Sequence, residues 1–267
     1  MTGEFERSQA LEAAECYERY FVPAIGRPVA EQIVSAARLR SGERVLDVGC
    51  GTGIVARLAV EEVGPEGSVV GLDVNSAMLA VARSAMPAEA AVEWHEAPAE
   101  SMPLDDDAFD VVLCQMSLQF FADRVQALRE IRRVLAPGGR ALVSLPGPMT
   151  PFFEILAEAL ARHLPPRAAA FVRQVFSLHE PDEIEHLLRR GGFETVEIRP
   201  ASIHLVLPGA AQFLEQYVAS TPLSALWAAA EETAREAVRR EVLAAWGPLE
   251  GEDGLQGEQP MILAVAR

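Results

Sequence analysis

At 267 residues, half of them hydrophobic, the chain has apolar material for one large α/β domain, and its formal net charge of −16 makes nucleic acid an unexpected partner. All 23 basic residues are arginine, and without lysine Schiff-base catalysis, a Walker A phosphate loop and a Tyr-x-x-x-Lys reductase centre are excluded. Cys16, Cys50 and Cys114 lack CxxC spacing and the five histidines are scattered, so no disulfide framework or metal site is expected; with no bilayer-length apolar run and no signal-peptide pattern, the expected location is cytoplasmic, with no membrane partner.

In chain order, residues 9–21 form an amphipathic helix that Pro23 is expected to end, and a second helix covers 28–39, with proline in its first turn where a missing N–H costs nothing. Strands follow at Arg44–Val48, 68–72, 92–95 and 110–114, separated by helical periods. Asn75 is placed to cap the helix Ser76–Ala85, and Asp123 with Gln126 three residues on reads as a capping box. That box opens a helix whose Val125, Leu128, Ile131 and Leu135 share a face and which Pro137-Gly138-Gly139 stops. Arg129, Arg132 and Arg133 on the same helix read as a solvated face. A fifth strand covers 140–145.

Beyond Pro146, helices are expected at 152–163, 168–176 and Pro181–Arg190, then a strand-rich stretch over 194–207 and an alanine-rich helical region at 208–246 broken near Pro222. A glycine-rich acidic loop over 247–259 leads to an apolar strand at 261–266. Strands alternating with helices predict a doubly wound, Rossmann-like α/β fold.

The stretch Val45-Leu46-Asp47-Val48-Gly49-Cys50-Gly51-Thr52-Gly53 lies between a buried strand and a helix start, where a doubly wound sheet forms its ligand crevice. Glycines there admit a ligand close to the backbone, with N–H groups of the helix start expected free to meet it. A dinucleotide site would call for G-x-G-x-x-G, but position 54 is isoleucine, and the carboxylate of Asp47 suits a cation better than a pyrophosphate.

VLDVGCGTG resembles motif I of the class I S-adenosylmethionine (SAM)-dependent methyltransferases, and the resemblance runs over residues 17 to 145, closest to the small-molecule enzymes of ubiquinone and menaquinone biosynthesis. It implies a seven-stranded sheet with the last strand antiparallel beside the fifth. It also implies a single domain, with core at about 40–146, 181–207 and 260–267, and helical lid segments at about 1–39, 147–180 and 208–250. SAM is the implied cofactor and a small molecule the acceptor. Asp73, ending Val70-Gly71-Leu72-Asp73-Val74, matches the acid that accepts both ribose hydroxyls. Residues 96–104, EAPAESMPL, resemble the adenine loop, with Pro98 where the family has aspartate, so that Ala99 N–H and Glu100 remain and Glu96 is a candidate substitute.

The implied cofactor contacts are therefore Tyr20, Asp47, Gly49, Cys50, Gly51, Asp73, Val74, Met78, Pro98, Ala99, Glu100 and Gln115. Met78 would lie on an adenine face or in plain core, and Gln115 beside the methionine moiety. Tyr17, Tyr20, Gln115, Gln119 and Trp227 are candidates for acceptor contact, and His179, His204 and Gln119 for a catalytic role. No metal is implied. For the late helices, a homodimer interface or core extension is the alternative to a lid. For the whole chain, the alternatives are a non-catalytic SAM-binding protein and an NAD-dependent reductase.

Overall fold

In the computed structural model, which describes residues 2–87 and 90–267 (side chains from residue 7 onward), the apolar run Arg44–Val48 forms strand β1 in the middle of a mixed sheet. Strands β2 (Ser68–Asp73) and β3 (Val92–Glu96) build outward on one side, and β4 (Phe109–Gln115) and β5 (Leu135–Pro146) on the other, all parallel. β8 (Gly254–Ala266) runs antiparallel between β5 and β6 (Val196–Leu207), giving the order β3-β2-β1-β4-β5-β8-β6. The expected seven strands and the antiparallel neighbour of the fifth are present; the two-residue strand β7 (Glu250–Gly251) adds to β8 off this path. The chain's direction of growth across the sheet reverses between β1 and β4, so a crevice opens at their carboxyl ends.

Helices α2 (Arg27–Ala37) and α3 (Ile54–Val63) pack Ile33, Val34, Val55 and Ala59 on one face of the sheet. On the other, α5 (Arg124–Val134) and α8 (Pro181–Arg190) bury Leu128, Ile131, Ile184 and Leu188. Helix α4 (Ser76–Ala85) starts as expected at Asn75, whose side chain accepts the N–H groups of Ala77 and Met78. The capping box at Asp123 is only half as expected. Asp123 accepts the Gln126 N–H at 3.0 Å, but its own N–H is taken by Glu100 rather than by Gln126. Leu135 is the first residue of β5, not the end of the helix, because it pairs with Phe109 across a bulge. Arg133 is not a solvated residue either: its guanidinium binds Glu130, Asp106 and the carbonyls of Met102 and Leu104, and so holds that loop.

Two further expectations are corrected. Pro23 does not end a helix. Helix α1 (Thr2–Cys16) continues into a π-helical segment, Tyr17–Gly26, with Pro23 inside it, and this runs directly into α2. The wider π turn, in which Arg27 N–H reaches Val22 O, relieves the clash that the proline ring makes with an ordinary helical turn. Nor are residues 247–259 all loop. β8 begins at Gly254 and pairs with β6 from Leu207↔Leu255 to Val196↔Ala266, forming a long arm that leaves the sheet. The polar run Gln256-Gly257-Glu258-Gln259 hides this strand from a hydropathy reading, while its partner alternates buried Ile203, Leu205 and Leu207 with exposed residues.

Helices α6 (Pro151–His163), α7 (Pro166–Val175), α9 (Ala210–Ala219), α10 (Leu223–Ala228) and α11 (Glu232–Trp246) share a second core with this arm. At its centre Phe152 stacks on Trp246 at 4.0 Å, and the Trp246 indole N–H donates to the Phe152 carbonyl. No helix among the described residues is long and apolar enough to cross a membrane.

Gly71 lets β2 pass beneath Trp94: a Cβ at this position would stand 2.4 Å from two atoms of the indole ring. Gly71→Ala is expected to lower stability by roughly 1–3 kcal/mol through overpacking, read as a lower urea midpoint at unchanged m-value.

Candidate active site

The loop after β1 is held by its own hydrogen bonds. Gly49 and Cys50 both donate to the Leu72 carbonyl, at 2.7 and 3.1 Å, which folds the loop over the tip of β2. Gly51 N–H donates to Asp73 Oδ2 at 2.8 Å, and Gly53 N–H to the Cys50 carbonyl at 2.9 Å. Ala56 N–H, in the first turn of α3, donates to Asp47 Oδ2 at 3.1 Å. Of the helix-start amides expected to be free, that of Ala56 is engaged; with the four loop amides, five N–H groups are spent within the chain, one of them on Asp73, whose carboxylate would repel a phosphate.

The glycines serve different needs. Gly49 (φ +69°) cannot carry a side chain because a Cβ would meet the Ser117 Oγ at 2.5 Å. That hydroxyl bridges the carbonyls of Gly49 and Gln115, tying the loop to the end of β4. Gly51 (φ +54°) has nothing within 4 Å of its would-be Cβ, so open room lies above the loop.

Asp73 gives one oxygen to Gly51 N–H and the other to Asn75 N–H, both at 2.8 Å. A carboxylate offers about four acceptor positions, so both oxygens keep capacity for two further donors. Val74 beside it is 67% exposed. Asp47 is different: it is 1% exposed, and burial pushes its carboxyl up to about 8, only partly offset by the Ala56 amide. The Cys50 thiol is also buried, near Gly71, and is pushed well above its ordinary value by the same cause; only the backbone of Cys50 is available to a ligand.

The remaining implied contacts divide. Met78 lines a cavity beside the crevice. Pro98 is exposed and accepts Ser101 N–H, while Ala99 is buried. Glu100 caps α5 through Asp123 N–H, so its side chain is committed to structure. Gln115 donates to the Gly26 carbonyl at 3.1 Å and thereby fixes the end of the π segment to β4. Its Oε1 is buried and unpartnered, as is the whole amide of Gln119.

The cavity, of about 430 Å³, lies where the tips of β2, β4 and β5 meet the arm and the second core. Met116, Phe120, Phe171, Phe176, Ile203 and Met261 give it an apolar wall, and Tyr17 and Phe21, stacked at 4.6 Å, face it from the π segment. Met116 takes the strained φ of +49° and donates its N–H to the Ser144 carbonyl at 2.7 Å. Arg57 pins the π segment: it binds Glu18 at 2.7 Å and the Thr52 carbonyl of the glycine loop at 2.8 Å.

Several candidates are not brought to this cavity. Tyr20 faces a small crevice against α9 instead, one residue out of phase with Phe21. Trp227 lies in the second core beneath the Arg239 guanidinium. His179 is bonded to the Phe176 carbonyl and to Glu180. His204 is exposed on the outer face of the arm against Glu258, because strand alternation sends Ile203 and Leu205 inward and His204 out. Phe153, Phe171, Tyr217 and Met261, distant in sequence, line the cavity without having been singled out; amphipathic periods show only that they are buried.

Comparison with known proteins decides the family. The sequence profile described as "Methyltransferase domain" matches residues 46–143. The demethylmenaquinone methyltransferase of Deinococcus radiodurans is 34% identical over 60% of this chain and 71% of its own length. The chain belongs to the class I SAM-dependent methyltransferases of the ubiquinone/menaquinone type. The ubiquinone/menaquinone biosynthesis C-methyltransferase UbiE of Xylella fastidiosa is 42% identical over 41% of this methyltransferase, which spans only 45% of that relative. The solved phosphoethanolamine N-methyltransferase 2 of Haemonchus contortus, in complex with SAM, shares the fold at a TM-score of 0.55 and 21% identity, over 89% of this chain and 52% of that one.

SAM is the cofactor of this methyltransferase, and the crevice fits it. The room above Gly51, the spare acceptor capacity of Asp73 and the engagement of the Gly49, Cys50, Gly51 and Gly53 amides suit a ligand with hydroxyls and positive charge. Asp47 reports on the site through pH. Its folded value, near 8, lies above the ordinary 3.8, so the folded methyltransferase holds a proton that the unfolded chain releases. Stability from this group therefore falls as pH rises between those values. Asp47→Asn, which keeps an acceptor for Ala56 N–H, should melt higher than the parent, by a margin that widens from pH 5 to pH 8. Thermal melts across that range measure it.

Proposed function

We propose that this methyltransferase moves the methyl group of SAM to an aromatic, quinone-type small molecule held in the apolar cavity. One observation carries the reading: a cavity with an apolar wall adjoins, at the same strand tips, a polar crevice fitted to SAM. The names of the relatives from Deinococcus and Xylella support the acceptor class. The chain's acidity argues against nucleic acid as the acceptor. In this reading the chain is one domain, in which the sheet carries the crevice while the π segment and the late helices form a lid.

The roles follow from the geometry. Asp73 accepts the ribose hydroxyls with the lone pairs that Gly51 and Asn75 leave open, and charged hydrogen bonds of this kind are the strong ones. Val74 and Met78 offer apolar surface to the adenine, and the 97–100 backbone lies along its edge. Gly49 and Gly51 let the methionine portion approach, and Tyr17 closes over it from the π segment. When bound, SAM supplies a methyl group on a sulfonium that leaves as a neutral thioether. The chain's own work is to orient the acceptor and exclude water, which can supply on the order of 7–11 kcal/mol. Neither histidine candidate faces the cavity, so no side-chain base is assigned.

Calorimetry should show SAM binding and no NADH binding, and Asp73→Ala should weaken SAM by roughly 1.5–3 kcal/mol. Methyl-labelled SAM incubated with a demethylated naphthoquinol should pass its label to the ring compound. SAM binding without label transfer to any aromatic acceptor would overturn the enzymatic reading in favour of a SAM-binding protein.

A further inference from the structure

An apolar cavity can hold a ring but cannot fix its rotation; that needs a polar contact from the wall. Most hydrogen-bonding side chains lining this cavity are already engaged. The hydroxyls of Ser220 and Thr221 donate back to carbonyls of α9. Asn75 is exposed and caps α4. Gln259 donates its amide N–H to the Pro260 carbonyl at 2.8 Å, and its Oε1 is closed off from solvent. Ser224 is only half-buried, and Tyr17 lies at the Asp73 end of the cavity.

Tyr217 on α9 is different. Its side chain lines the cavity, and its hydroxyl makes no hydrogen bond among the described residues and is not one of the atoms sealed off from solvent, so it keeps access to the space it lines. A phenol set in an apolar wall normally finds a partner, and this one is left free to bond a guest in the cavity. The ring is held between Phe153 and Phe213, both at 5.7 Å, so its hydroxyl points in a fixed direction. Burial pushes the phenol above its ordinary value, so it stays protonated and acts as a hydrogen-bond donor, not as a base.

We propose that Tyr217 is the orienting residue of the acceptor site, its hydroxyl donating a hydrogen bond to an oxygen on the acceptor ring. The proposal rests on the reading of the cavity as the acceptor site. It assigns the cavity a preference for aromatic rings that bear a hydroxyl or carbonyl oxygen over plain hydrocarbons of the same shape.

The test uses the full chain and two probes of one shape, 1-naphthol and naphthalene, with binding followed by calorimetry or tryptophan fluorescence. The parent should bind 1-naphthol the more tightly, and Tyr217→Phe should reduce 1-naphthol affinity by roughly fivefold while leaving naphthalene unchanged. An equal loss on both probes would mean that Tyr217 only packs, and no loss on either would mean that its hydroxyl makes no contact; either result overturns the proposal and leaves the cavity assignment standing. Failure of the parent to bind either probe overturns the cavity assignment and this proposal with it. If Tyr217→Phe melts well below the parent, Ser220→Ala, on the same helix with an internally bonded hydroxyl, serves as the second variant: it should keep the preference for 1-naphthol, and its loss would overturn the proposal.

Discussion

The Asp73 carboxylate organises the crevice from the tip of β2. One oxygen takes the Gly51 amide and the other the Asn75 amide, so the loop after β1 and the start of α4 are fixed to the same two atoms. The Leu72 carbonyl just before it accepts two more loop amides. A glycine loop with unsatisfied N–H groups would attract anions; this one spends all of its glycine amides within the chain and presents the Asp73 carboxylate beside them. The preference for hydroxyls and positive charge over phosphate is thus a product of the same bonds that hold the loop in shape.

Two environments of opposite character meet at the strand tips. On one side lie carboxyl groups and turned glycines, on the other methionines, phenylalanines and the inner face of the β6–β8 arm. The boundary between them is crossed by the π segment, whose Tyr17 and Phe21 stack over the cavity while Glu18, through Arg57, is anchored to the glycine loop. Asp47 sits beneath this boundary, held largely protonated at neutral pH by its burial, which the Ala56 amide and the charge of Arg57 offset only in part.

The elements legible in the sequence were those whose partners are local. The β1–α3 loop, the Asn75 cap and the strand alternation are set by residues within a few positions of one another, and Asp73 follows from its place at a strand end. What escaped depends on distant contacts. Pro23 reads as a stop unless the helix is free to widen locally, as it does here under packing from β6 and α9. The polar stretch 256–259 reads as loop because its hydrogen-bonding partner lies about fifty residues earlier. His204 looked available because a sequence does not show which face of an isolated arm turns inward. The aromatic wall of the cavity is assembled from the π segment, Phe120 and helices α6, α7 and α9, and no local period reveals that they converge.

The order of strands has a consequence for how the molecule is made. β6 touches the rest of the sheet only through β8, so residues 196–207 have no place in the sheet until 254–266 have been synthesised. The parallel strands β1–β5 are complete by Pro146, and without β8 the outer edge of β5 is uncovered. The cavity wall is incomplete until β8 lies between β5 and β6 and brings Met261 and Gln259 to it.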